Sequence, residues 1–315
     1  MKTNNLFQQD ILTVDQFSPA MVKTVFETAK AMEKIVLTKG KSNLLEGKMM
    51  TALFYEPSSR TFSSFITAMQ RLGGGIIPLQ GVAYSSVSKG ETLPDTVRTF
   101  ASYSDVIVIR HPEAGSAKIA AEFCDKPVIN AGDGVGEHPT QALLDLFTIT
   151  NHFGKAKGLT VTMVGDLLNG RTVHSLSKLL SMYAPLTINL VSPEILRMPE
   201  MLVKRLKNAG VTVNETETLT GALAETDVLY VTRVQKERFT DLDIYEKLKH
   251  HYIISPAIMA KTKKTTVLMH PLPRVGEITP EVDLDKRAIY FTEQMRNGMY
   301  VRMALLALVL KEDAK

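Results

Sequence analysis

The chain has a single cysteine, no tryptophan, no long apolar run and no block of like charges in its 315 residues. One cysteine, Cys124, makes neither an internal disulfide nor a cysteine-based zinc site, which points to a reducing compartment. The longest apolar run, Met303 to Leu310, falls far short of the ~20 residues that span a bilayer. The opening stretch MKTNNLFQQDILTV also lacks the continuous apolar core of a secretory signal. A cytoplasmic protein with no membrane association is expected. With 37 Lys+Arg against 33 Asp+Glu, the net charge of +4 is spread too thinly to attract a polyanion, so nucleic acid is not an expected partner. Small anions stay open as ligands, and what matters is where the cations sit.

The composition, 44% hydrophobic and 22% charged, is that of a globular protein, and the length suggests two domains at ~150 residues each. Apolar, β-branched runs alternate with helix-period stretches from Met49 onward, the pattern of parallel α/β layers. Strands are predicted at 49–55, 76–79, 105–109 and 128–131 in the first half. In the second half they fall at 159–165, 186–191, 211–214, 227–232, 252–255 and 265–269. Phe62, Phe65, Ile66, Met69 and Leu72 form one apolar stripe, giving a helix from Arg60 that the glycines at 73–75 stop. Another helix should start at His138-Pro139 and run to Phe153, since proline suits a first helical turn. The Gly/Lys-rich stretch 154–158 then reads as an inter-domain connector, and a terminal helix is predicted at about 299–311.

Ligands of open parallel sheets gather at the carboxyl ends of the strands, and there this sequence places its cations and imidazoles. Arg60, Arg110, Arg171, Arg233 and Arg274 follow predicted strands, as do His111, His138 and His270. Ser58-Ser59-Arg60-Thr61 puts hydroxyls and a guanidinium at a helix start, a set of donors suited to phosphate. The plainer alternative is that a serine there only caps the helix. Gly165 to Thr172 keeps the frame of a nucleotide-binding P-loop, but Arg171 stands where lysine is needed, and the carboxylate-ended strand of such proteins is missing. Arg171 fits a carboxylate clamp better. His138, beside Gln141, is placed to donate to a carbonyl oxygen as negative charge develops on it. His111, His270 and the pair His250-His251 show no zinc-ligand spacing, Cys124 has no histidine nearby, and no G-x-S-x-G nucleophile motif occurs. The polar stretch from Ser85 to Leu93 reads equally well as an ordinary surface loop.

Eight segments together resemble the aspartate/ornithine carbamoyltransferase family, and within it the aspartate-using branch. They are FYEPSSRT (54–61), SKGETL (88–93), RHP (110–112), HPTQALLDL (138–146), GRTVHS (170–175), RVQKER (233–238), HPLPRVGEI (270–278) and NGMYVRMALLALVL (297–310). The resemblance implies two Rossmann-like three-layer α/β domains with central parallel sheets, joined by interdomain helices. Residues 1–137 would bind carbamoyl phosphate, 138–290 would bind aspartate, and 291–315 would form a helix packing back on the first domain. The implied reaction moves the carbamoyl group of carbamoyl phosphate to the amino group of L-aspartate, a step of pyrimidine biosynthesis, with no metal or organic cofactor.

By the same resemblance Ser58, Ser59, Arg60, Thr61 and Arg110 hold the phosphate. Arg60, Thr61 and His138 polarise the carbonyl, and Gln141 orients the carbamoyl amide. Arg171 and Thr172 take the α-carboxylate region of aspartate, Arg233 and Gln235 take its side-chain carboxylate, and the backbone at Leu272 and Pro273 completes that pocket. Ser85 and Lys89 reach into the site of a neighbouring subunit, with Lys89 serving both substrates, which implies a homotrimer with shared sites; a separate regulatory chain is a further possible partner. Phe62 departs from the family, which usually has arginine there, and so removes a charge beside the phosphate loop. Two alternatives stay open: a carbamoyltransferase for ornithine or another amine, and a non-catalytic paralogue serving as a binding subunit. The run Arg233-Val234-Gln235 and the His-Pro-Leu-Pro at 270–273 weigh against ornithine, and the intact set Arg60, Lys89, His138 and Arg171 weighs against lost catalysis.

Overall fold

The computed structural model describes residues 5–81, 86–235, 239, 241–248 and 251–313. Two compact units emerge, one formed by residues 1–147 with 296–315 and the other by 148–295.

The first unit holds four parallel strands in the order β2-β1-β3-β4: β1 Met49–Phe54, β2 Gly75–Gln80, β3 Val106–His111 and β4 Val128–Asp133. Helices α1 Pro19–Lys39, α2 Ser59–Arg71, α3 Leu93–Ala101 and α4 Ser116–Glu122 flank it. β1, β3 and β4 are buried through most of their length, so both faces of these strands are covered, as their unbroken apolar runs require. β2 lies at the edge, where Pro78 costs no ladder hydrogen bond. Its core gathers Leu53, Val97, Ile107, Ile109, Ala120 and Val128.

The second unit holds five parallel strands in the order β7-β6-β5-β8-β9: β5 Thr160–Val164, β6 Thr187–Val191, β7 Thr212–Thr216, β8 Val228–Val231 and β9 Val267–Met269. Its helices are α6 Arg171–Ser181, α7 Glu200–Asn208, α8 Leu242–Leu248 and the single turn α9 Pro256–Met259. Val164, Val191, Leu229, Val231, Leu268 and Tyr290 belong to its core.

The fold is thus the expected one of two parallel α/β sheets with flanking helices. The divisions between the units fall inside helices, at 147/148 within α5 Pro139–Phe153 and at 295/296 at the start of α10 Met295–Leu310. The glycine-rich stretch 154–158 therefore does not connect the units. It ends α5 inside the second unit, with Gly154 and Gly158 both at positive φ, and the chain crosses between units along helix instead. The strand predicted at 252–255 is reduced to one bridge, Ile254 to Ile278, because β9 is already the last strand of its sheet. No helix among the described residues is long and apolar enough to cross a membrane.

Candidate active site

In the first unit, three neighbouring strands deliver the candidate anion site. β1 and β3 are paired in register, Phe54 opposite Arg110, and the Tyr55 amide continues the ladder to the Arg110 carbonyl at 2.8 Å. The loop after β1 therefore opens beside the end of β3. Ser58 occupies the N-cap position of α2, yet its hydroxyl makes no capping bond. Capping thus does not account for this serine, and the first-turn amides of Ser59, Arg60 and Thr61 lie outside the helical ladder. Ser58 and Thr61 are buried, Arg60 is half-buried and Ser59 is exposed. Arg110 pairs with Glu56 at 2.8 Å and reaches the Ala131 carbonyl at 3.4 Å.

His138 arrives from β4 through a loop built on Asp133. One oxygen of that carboxylate accepts the Glu137 amide at 2.7 Å and the other accepts the Gly115 amide at 2.7 Å, fastening the turn to the loop after β3. A side chain at Gly134, whose φ is +50°, would strike the Pro112 carbonyl at 2.5 Å. The buried His138 then precedes α5, its carbonyl accepting the amides of Gln141 and Ala142. Gln141 is held by its own helix, because its Nε2 donates to Asp145 at 3.0 Å one turn on.

At Phe62 the expected loss of charge is filled by packing, the ring meeting Phe54 edge-on with centroids 5.1 Å apart. A different cation serves the same helix. Arg302 of α10 is buried, donates to Ser64 Oγ at 2.9 Å and lies over the Phe65 ring at 5.2 Å. Burial, reinforced by Arg110 and opposed by Asp145, lowers its pKa to about 10.

In the second unit the corresponding strand ends are those of β5, β8 and β9. β5 stops at Gly165, with φ +118°, where any side chain would collide with the Thr232 carbonyl at the end of β8. Glycine lets the two strand ends close up. The loop then turns on Asp166, which is fully buried and accepts the Asn169 amide at 2.9 Å and the Asn169 side chain at 3.2 Å. Burial raises the Asp166 pKa, against those bonds and a further one from the Gln235 amide. A carboxylate thus occupies the place where a P-loop would take phosphate, which gives a physical reason to set that reading aside. The Asn169 carbonyl accepts the Arg171 amide at 3.0 Å and Gln235 Nε2 at 3.3 Å, so the loop carrying Arg171 and Thr172 is tied to the stretch carrying Arg233 and Gln235.

Leu272 and Pro273 follow β9. Leu272 has φ +55°, uncommon for a branched side chain. His270 and Glu277 brace this loop from beneath, with Nε2 and Oε1 2.7 Å apart and side chains 1% and 5% exposed.

Ser58, Ser59, Arg60, Thr61, Arg110, His138 and Gln141 all belong to the first unit. Arg171, Thr172, Arg233, Gln235, Leu272 and Pro273 all belong to the second. Lys89 is exposed at the end of a 3-10 turn, Ser86–Lys89, that follows the edge strand β2, while Ser85 lies outside the described residues. Sequence reasoning missed Glu56, Asp145, Asp166 and Glu277, and gave His270 no role beyond its place after a strand. Asp145 alone carried a signal, its i+4 spacing from Gln141 on one helix.

The family model described as aspartate/ornithine carbamoyltransferase, carbamoyl-P binding domain, matches residues 9–151, and the Asp/Orn binding domain of the same family matches 157–309. An aspartate carbamoyltransferase catalytic subunit of Thermococcus gammatolerans is 49% identical over 302 residues, covering 96% of this chain and 97% of that one. The multifunctional protein pyr1-3 of Dictyostelium discoideum is 51% identical over 306 residues, 97% of this chain but 14% of that protein's length. Among solved structures, aspartate transcarbamoylase of Trypanosoma cruzi in complex with carbamoyl phosphate and aspartate superposes with a TM-score of 0.93 at 44% identity, covering 97% of this chain and 98% of that one. With both of its halves matched by the two domain models, the chain belongs to the aspartate/ornithine carbamoyltransferase family.

Proposed function

We propose that this protein is an aspartate carbamoyltransferase, making N-carbamoyl-L-aspartate and phosphate from carbamoyl phosphate and L-aspartate. The observation that carries the choice of amine is the second unit's set of donors at adjacent strand ends. Arg171 and Thr172 follow β5, and Arg233 and Gln235 follow β8, with the two loops joined through Asn169. Two guanidinium groups suit a dicarboxylate and repel the extra ammonium of ornithine.

The first unit takes carbamoyl phosphate. Ser58, Ser59, Arg60 and Thr61 at the start of α2, with Arg110, offer amide, hydroxyl and guanidinium donors to the phosphate. Arg60, Thr61 and His138 direct donors at the carbonyl oxygen, and Gln141, its nitrogen engaged by Asp145, receives the carbamoyl amine through its oxygen. The neutral amine of aspartate attacks the carbonyl carbon. A C–N bond forms, charge gathers on the carbonyl oxygen, and the C–O bond to phosphate breaks as the amine gives up its proton to the departing phosphate. Electrostatic stabilisation and positioning supply the rate. The exposed Lys89, on the loop after an edge strand, suits a residue lent to a neighbouring subunit, and with Ser85 it makes the active unit a homotrimer. The single cysteine fits a cytoplasmic setting.

The test supplies carbamoyl phosphate with aspartate, ornithine, putrescine or acetylated ornithine, on protein whose mass is read by sedimentation. Carbamoylation of aspartate by a trimer is expected. Carbamoylation of ornithine alone would overturn the choice of amine, no product from any amine would favour a binding subunit, and full activity in a monomer would remove the shared site.

A further inference from the structure

The loop after β9 has to hold a leucine in the left-handed region, and the groups that hold it are buried and ordered by a single arrangement of protons. The His270 amide donates to Gln294 Oε1 at 3.0 Å, which fixes the residue's backbone. On the ring, Nδ1 lies 2.8 Å from the Leu272 amide, and an amide only donates, so Nδ1 is the bare nitrogen. Nε2 lies 2.7 Å from Glu277 Oε1 and carries the proton. The second Glu277 oxygen accepts the Val275 amide at 2.8 Å. The Glu277 carbonyl accepts the Ile254 amide at 2.8 Å. One connected chain therefore runs from residue 254 through Glu277 and His270 to the peptide of Leu272. Burial holds the ring's pKa below the ordinary histidine value, and, against its own burial, the bond from His270 holds that of Glu277 below the ordinary carboxylate value.

We infer that His270, in its Nε2-protonated form, is a positioning residue that holds the Leu272 peptide at φ +55° and so fixes the backbone of residues 271–273 for the substrate. A non-glycine residue in that conformation is strained and persists only where its surroundings impose it. Among the described residues, the Nδ1 acceptor is the side-chain group that grips that peptide. This inference rests on the carbamoyltransferase reading, which assigns the backbone there to the aspartate pocket.

Two substitutions divide the functions of the ring. His270→Asn keeps an acceptor where Nδ1 was and loses the donor to Glu277. His270→Gln keeps a donor near Nε2 and loses the acceptor for Leu272. Asparagine, leaving a buried carboxylate short of a donor, should give the lower melting temperature but hold kcat/KM for aspartate within a few-fold of the parent. Glutamine should melt higher yet lose about 100-fold in kcat/KM, the scale of a misplaced contact. A merely structural histidine makes activity follow melting temperature, so that order, or unchanged activity in both variants, would overturn the inference. Nitrogen NMR of the histidine-labelled parent chain tests the tautomer even if neither variant folds. A water-protected Nε2–H with a bare Nδ1 is expected, and a protonated Nδ1 would refute it. Parent protein that carbamoylates no amine would remove the functional reading and leave the NMR result to decide the tautomer.

Discussion

The two units are alike where their strands begin and unlike where their strands end. At the beginning of the first sheet, Asp105 accepts the Met49 amide at 2.8 Å and Lys48 Nζ at 3.0 Å, and its own amide donates to the Met49 carbonyl at 2.8 Å. At the beginning of the second, Asp227 accepts the Thr160 amide at 2.8 Å and Lys263 Nζ at 2.9 Å, and its amide donates to the Thr160 carbonyl at 2.9 Å. A buried hydroxyl pair follows in each: Thr51 with Ser104 at 3.1 Å, and Thr162 with Thr226 at 2.6 Å. The same lock thus joins β1 to β3 and β5 to β8. At the carboxyl ends an arginine again marks each equivalent strand, Arg60 and Arg171 after β1 and β5, Arg110 and Arg233 at the ends of β3 and β8, but the groups around them differ. The first unit adds the hydroxyls and first-turn amides of 58–61 and sets Arg110 beside Glu56, while the second carries its arginines on loops tied around a buried aspartate. One frame is thus used twice, with the amino ends securing the sheet and the carboxyl ends free to diverge.

The largest effect should come from a carboxyl end. Arg60→Ala should lower turnover by at least the ~100-fold that follows loss of one donor to a developing oxyanion, while leaving the melting temperature within a few degrees. Steady-state kinetics with a melting curve checks both halves, and near-normal turnover would take Arg60 out of the chemistry.

The amino ends should answer in the opposite way. Asp105→Ala and Asp227→Ala each strand a strand-opening amide and a lysine, and each should cost about 1–3 kcal/mol in denaturant unfolding. The cost should be smaller for Asp105, the more exposed of the two at 34% against 18%. Turnover at saturating substrate should stay close to that of the parent chain. A large kinetic effect with intact stability would break the division between the two ends.

A smaller, pH-dependent difference should separate the units. Burial holds both His111 and His270 below the usual histidine value of 6.5, so the unfolded chain takes up protons that the folded chain refuses. Their contribution is complete above pH 6.5 and is lost as pH falls below it. His270, almost wholly enclosed, should contribute more than the half-buried His111. His270→Gln should therefore flatten the acid side of a stability-against-pH curve more than His111→Asn does.

Much of the frame was legible in the chain itself. The apolar runs at β1, β3, β4, β5 and β8 announce buried strands, and the stripe from Phe62 to Leu72 announces α2. The candidate site was legible wherever a charged or hydroxyl residue closes such a run or opens the helix after it, as at Arg110, Arg233 and Arg60. What stayed hidden depends on distance in sequence. Asp105 acts on Met49, 56 residues away, and Asp227 on Thr160, 67 away, and no local pattern marks either one. Glu277 reads as an ordinary loop acid until the fold places it under His270. The stretch 154–158 reads as a linker by its glycines and lysines, but those residues end a helix, and helix is what carries the chain across the boundary.

The proposal that each unit takes its own reactant can be tested with the paired variants Arg110→Ala and Arg233→Ala. Half-saturation would be measured for carbamoyl phosphate and aspartate in both. Arg110→Ala should raise the value for carbamoyl phosphate by about tenfold or more and Arg233→Ala that for aspartate by a like factor, as expected for one lost bond to a charged group, with the other substrate little changed in each case. A crossed result, with Arg233→Ala weakening carbamoyl phosphate and sparing aspartate, would contradict it.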